Sequence, residues 1–214
     1  MGKALQNKIQ KRTALLDSAY ELFTTLGFSK TTIREIADKA GVAKGTFYLY
    51  FEDKTDIRNA LIRSKASELL QNACASMDEY ISTCPEGLDT ADKFIYIIDY
   101  IVDLLSDNAA FVGFISKHLS WGLFTKGPRS PQEYYGVDDG TSPVIDFEDY
   151  IQKMLDADNV TIRDLKVLLF NLLGLISSTT YDLILYKEPM SLEEFRPHMH
   201  QAVRLLVNDA IISD

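Results

Sequence analysis

Cysteine is scarce in this 214-residue chain: two thiols, Cys74 and Cys84, are too few for a disulfide framework, and a reducing cytoplasm is the expected compartment. Long apolar runs are scarce as well. The most apolar stretch, Val167 to Ile176, is broken by Asn171 and flanked by Lys166 and Asp182, which reads as too short and too polar for a membrane span. The start, Met1 to Arg12, is polar and basic, so no secretory leader is expected. There are only three histidines, and His198 and His200 stand two apart, on different faces of a helix, which makes a poor metal pair. Asp138, Asp139, Asp156 and Asp158 lack a calcium-loop spacing. No Gly-rich phosphate loop, nucleophile elbow or cysteine cluster occurs. The expectation is a protein that is not an enzyme and carries no metal or cofactor.

The net charge of -9 would by itself argue against a nucleic-acid partner. Its distribution reverses that reading. Residues 1–63 hold eleven Lys/Arg against seven Asp/Glu, whereas the remainder holds eleven against twenty-four. A basic head on an acidic body steers one end of the molecule toward phosphates.

Strand alternation is missing, and nearly every segment repeats its apolar residues at helical spacing, so the predicted class is all-α with about nine helices. Ile9, Leu16, Ala19, Phe23 and Leu26 mark the first helix, and Gly27 offers its stop. Thr32 and Glu35 have capping-box spacing and open a short second helix that ends at Gly41. A third is expected over about 42–51, and a long fourth from Asp53 to about Thr83. Beyond Pro85 and Gly87, helices are expected at about 89–106, 108–123, 144–157, 161–187 and 191–212. The glycines and prolines between 125 and 143 mark one long loop.

The segment Thr32 to Phe51 meets the steric demands of a helix-turn-helix. Ala37 is small where the second helix crosses the first, and Gly41 suits a turn that needs positive φ. Ile33, Ile36, Ala40, Val42 and Phe47 fall where the small core must be plugged. A helical hairpin within a bundle shares those spacings. The surface of the third helix separates the two: Lys44, Gly45, Thr46, Tyr48 and Tyr50 are many polar and aromatic groups for a solvated face without a task. Gly45 costs about 1 kcal/mol against Ala in a helix, which points to a close approach at the backbone, with phosphate as the natural candidate.

The stretch from Leu22 through Thr32-Ile-Arg-Glu-Ile-Ala-Asp-Lys-Ala-Gly-Val-Ala-Lys-Gly-Thr-Phe-Tyr-Leu-Tyr-Phe-Glu-Asp-Lys54 resembles the DNA-binding domain of TetR-family repressors, over about residues 9–69 and most densely from Gly41 to Lys54. The resemblance implies an all-α homodimer with a DNA-binding head and a ligand-sensing body, released from double-stranded DNA when a small molecule is captured. It implies an arm at 1–8, a head at 9–69 with its helix-turn-helix at 32–51, and a body at 70–214. Carried over by position, Thr32 and Arg34 touch phosphates or the groove edge, and Lys44, Gly45, Thr46, Tyr48 and Tyr50 lie on the recognition helix. Lys44 and Thr46 are the better candidates for base edges, Tyr48 for a phosphate, and Lys54 for a phosphate clamp. Ala43 stands where many relatives carry Ser, which removes a helix cap.

In the body, Leu168, Leu172 and Ile176 lie on one stripe and Met199, Val203 and Leu206 on another. The expectation is that these pack on their own core and on a symmetry mate as a four-helix interface; a fully internal core is the alternative. Aromatics crowd the region between head and interface, and Phe114, His118, Trp121 and Tyr181 are the candidates for lining a pocket for a partly apolar ligand. The leading reading is a homodimeric repressor of a near-palindromic operator. An activator or ligand-independent regulator, and a helical ligand-binding protein without DNA affinity, are the alternatives.

Overall fold

Ile9, Leu15, Leu16, Ala19 and Phe23 recur at helical spacing, and in the computed structural model they form the buried face of α1 (Lys3–Thr25). The structure describes residues 2–83, 87–115, 118–124, 131–135 and 147–212. Most of the expected 125–143 loop, together with Cys84, Asp138 and Asp139, lies outside them. The remaining helices are α2 (Ile33–Lys39), α3 (Lys44–Phe47), α4 (Lys54–Thr83), α5 (Thr90–Ser106), α6 (Ala109–Ile115), α7 (Leu119–Phe124), α8 (Pro131–Tyr134), α9 (Phe147–Ala157), α10 (Leu165–Tyr186) and α11 (Leu192–Ala210). Among the described residues there is no strand, only an isolated bridge between Ile162 and Ile211. The all-α class is as expected.

The differences from the sequence reading are local. The expected helix at 108–123 is two, α6 and α7, and α8 is a single turn within the expected loop. Helix α1 begins at Lys3, so residues 3–8 are its first turns rather than an arm. Helix α3 is one turn long, and Tyr48 to Tyr50 continue it as turns.

Two cores form, and α4 supplies both. The head core gathers Leu15, Leu16, Phe23, Ile36, Phe47, Phe51, Ile57 and Leu61. The body core begins at the next residue, Ile62, and runs through α5, α6, α9, α10 and α11. The two cores therefore meet between Leu61 and Ile62, inside a continuous helix. Phe114 of α6 packs against both cores. Helix α7 lies tightly on α4: a Cβ at Gly122 would stand 2.8 Å from Ile62 Cγ2 and 3.1 Å from the Ile62 carbonyl oxygen. Only glycine allows that approach.

Helix α10 spans 22 residues with a mean hydropathy of 1.5 in its most apolar stretch, which by length and composition alone is enough to cross a membrane. Core packing accounts for much of that apolarity. Leu168, Leu169, Leu172, Leu173 and Ile176 are buried in the body. Leu168, Leu172, Ile176, Met199 and Val203, expected to face a second copy, thus lie inside the protomer's own core, and Leu206 is partly buried against it. The faces left outside carry Val167, Phe170 (57% exposed) and Leu205 (66% exposed).

Ion pairs join α5 to α11. Arg196 holds Asp99 at 2.6 Å and Asp103 at 2.5 Å, His200 Nε2 stands 2.8 Å from Asp99, and Arg204 reaches Asp89 and Asp92. The buried Lys93 pairs with Asp158 at 2.5 Å.

Candidate nucleic-acid interface

Local chemistry fixes the shape of the head. The Thr32 backbone N–H and hydroxyl both donate to the Glu35 carboxylate at 2.8 Å, and the Glu35 N–H donates back to the Thr32 hydroxyl at 3.2 Å. These bonds hold the Glu35 carboxyl below the usual glutamate range, the side-chain bond contributing most. Gly41 takes φ +68 at the turn between α2 and α3, where a side chain would be strained. Ala43 is the N-cap of α3 and makes no side-chain cap bond, as the sequence implied.

The α3 turn presents a compact surface. Phe47 and Phe51 are buried beneath it, their rings 5.7 Å apart. Outward stand Lys44, Gly45, Tyr48 (51% exposed) and Leu49 (80% exposed), with Thr46 half-buried beside them. Nothing lies within 4 Å of a Cβ built at Gly45, so its backbone faces open space. Among the described residues Lys44 makes no ion pair, which leaves its charge available to an outside anion.

Other expected contact residues are already engaged. Lys54 Nζ donates to the carbonyls of Phe28 at 2.7 Å and Thr31 at 2.8 Å and stands 4.4 Å from the Phe28 ring. Those two bonds fasten the α1–α2 loop to α4 and leave one of the three ammonium donors for an outside acceptor. Thr32 spends its hydroxyl on the cap, and Arg34 pairs with Asp38 at 3.6 Å while both stay exposed. Tyr50 turns its side chain partly into the head core.

One residue that sequence reading missed is central here. Arg12, 5% exposed, donates from Nη1 to the Tyr50 carbonyl at 2.8 Å. Its guanidinium carbon sits 4.2 Å from the Phe51 ring and 3.9 Å from the Tyr134 ring, so α8 of the body touches the side chain that holds the end of the α3 turn. Burial lowers its pKa from the ordinary arginine value. The signal in the sequence was an arginine on the apolar stripe of α1, between Ile9 and Leu16.

Among the described residues, the four expected pocket residues divide between two cavities and the surface. Phe114 and His118 line a cavity of about 340 Å³ with residues of α1 and α4. Tyr181 lines a separate cleft of about 360 Å³ with Ser177, Ser178 and Asp182. Trp121 is 39% exposed, with the Arg63 guanidinium 5.9 Å from its ring. A further cleft, bounded by Tyr20, Lys65, Glu68, Leu104, Asp107 and Phe111, opens between α1, α4 and the α5–α6 turn.

Residues 15–61 match the family model of bacterial regulatory proteins, tetR family. The chain is 29% identical over 114 residues to the HTH-type transcriptional repressor KstR2 of Rhodococcus jostii, covering 49% of this chain and 56% of that protein. It is 34% identical over 102 residues to the fatty acid metabolism regulator protein of Bacillus subtilis, covering 48% of this chain and 49% of that one. The chain thus spans about half the length of the curated relatives it matches. In fold it resembles Thermus thermophilus FadR, a TetR-family repressor solved with lauroyl-CoA, at a TM-score of 0.59 and 19% identity, covering 95% of this chain and 96% of that one.

Proposed function

We propose that the chain is a DNA-binding transcriptional regulator of the TetR type, a homodimeric repressor that a small, partly apolar ligand releases from a near-palindromic operator; the match of residues 15–61 to the tetR family model and the likeness of the fold support this reading. The observation that carries this reading is the outward α3 turn, with Lys44, Tyr48 and Leu49 exposed on a surface braced by Phe47 and Phe51. Lys44 supplies the charge for phosphate or a base edge, Thr46 a hydroxyl for base reading, and Tyr48 a phenol for phosphate. Lys54, Thr32 and Arg12 position that surface through the bonds that occupy them.

Reading two half-sites requires two copies. The exposed faces of α10 and α11, with Val167, Phe170 and Leu205, supply the apolar surface for pairing, one helix position away from the stripe that fills the core. A two-fold dimer places its α3 turns about 34–36 Å apart, one turn of DNA. The names of the relatives, a fatty acid regulator and a repressor with bound lauroyl-CoA, support an apolar effector class for this chain as well.

The test is selection of genomic fragments by the purified protein, followed by footprinting. The expected result is protection of a near-palindrome with half-sites one helical turn apart. Failure to enrich any fragment over bulk DNA would refute the reading. Lys44→Ala is expected to lower the slope of log affinity against log salt by about one unit, as loss of one phosphate contact should.

A further inference from the structure

We infer that the joint between head and body is a binding site for a small organic carboxylate with an aromatic or short aliphatic group. The cavity of about 340 Å³ lies between the end of α1, the start of α4 and α6, and is large enough for such a molecule. Its walls include Phe23, Phe28 and Phe114; Phe23 lies 5.3 Å from Phe28 and 6.4 Å from Phe114, the latter pair stacked at 18°. Gly113 leaves its Cβ position in open space.

Arg58 is the guanidinium of the polar wall, which Thr24 and His118 share. Its guanidinium carbon stands 4.7 Å from the Phe28 ring, and Nη2 donates to Asn59 Oδ1 at 3.2 Å. The Arg58 Nε is buried without a hydrogen-bond partner, so turning the guanidinium toward the cavity costs no bond at that atom. A carboxylate is the acceptor that matches two donors of a guanidinium edge at once. No Asp or Glu is among the residues that line this cavity. The neighbouring cleft differs on this point: there Lys65 is answered by Glu68 at 2.7 Å, and Asp107 adds a second acid. A guanidinium over the Phe28 ring, in a cavity that Phe23 and Phe114 also line, favours a singly charged anion with an apolar body over a phosphate.

This site rests on and deepens the ligand-responsive reading above, because a molecule lying against Phe114 of α6 and Phe23 of α1 sits where the two cores meet. Binding itself is tested without DNA. Calorimetry of the full chain with benzoate is expected to give saturable one-to-one binding, at least tenfold tighter than with its neutral isostere benzamide. Arg58→Gln is expected to weaken benzoate at least tenfold and to erase the preference over benzamide. Gly113→Leu, which fills open space on a helix, is expected to block both probes while the melting curve stays cooperative. Absence of saturable benzoate binding, or binding undiminished in both folded variants, overturns the site. Benzoate binding by a protein that selects no DNA leaves the site standing and removes only the repressor reading.

Discussion

Head and body differ in where their less exposed cations go. In the head, Arg12 is spent on the Tyr50 carbonyl and Lys54 on those of Phe28 and Thr31, while the more exposed Lys39 and Arg34 meet carboxylates. In the body, cations meet carboxylates across helices, as Arg196 and Arg204 of α11 do with the aspartates of α5. The head is small, and its short loops must hold one shape, so charge-assisted bonds pin the backbone itself. The body is built of long helices that already satisfy their backbones, so its charges set how one helix lies on another.

The comparison can be broken from either side. The largest effect is expected for Leu172→Glu, which places a carboxylate in the body core and should abolish cooperative unfolding in circular dichroism. Phe170→Glu, two positions earlier but exposed, should keep the melting curve and turn a dimer into a monomer by light scattering; a folded dimer would place the pairing face elsewhere. Phe47→Ala should cost about 3–5 kcal/mol in chemical denaturation, because it empties the head core beneath the α3 turn. Lys54→Met strips two carbonyls of their donor and should cost about 1–3 kcal/mol. Arg196→Gln removes partly exposed pairs and should cost about 1 kcal/mol or less, an effect that shrinks further in high salt. An Arg196 effect equal to that of Lys54 would erase the distinction between the two regions.

A last sharpening concerns chemistry rather than stability. Burial pushes the Cys74 thiol up to about 12, so its neutral form persists far above the usual cysteine range. In a Cys84→Ser background, a disulfide reagent at about pH 8 should leave the folded protein unlabelled and label it once denatured. Rapid labelling of the native state would mean that α4 opens there.

The caps and turns of the head were legible because each is a local bargain. A hydroxyl three residues before a carboxylate, or a glycine where φ must be positive, needs no knowledge of the rest of the chain. The α3 surface was legible for the same reason. The role of Lys54 was not, since its partners lie 26 and 23 residues back and a lysine looks equally fit for phosphate or carbonyl. The internal burial of the α10 stripe was not legible because α10 is apolar on most sides. Spacing shows that Leu172 and Ile176 share a stripe, but whether the opposing wall belongs to the same chain depends on how α5, α6 and α11 close around it. Ring content likewise marks only a region, while helix crossing decides which rings share a space: Phe114 and His118 line one cavity and Tyr181 another.

The placement of Leu61 and Ile62 has a mechanical consequence. Neighbouring residues on a helix point about 100° apart, so one rod of 30 residues, about 45 Å long, is wall to both cores with no loop between them. The head therefore cannot swing on a flexible tether. Whatever shifts the body must roll or tilt this shared axle, and a roll of a few degrees at one end arrives undiminished at the other.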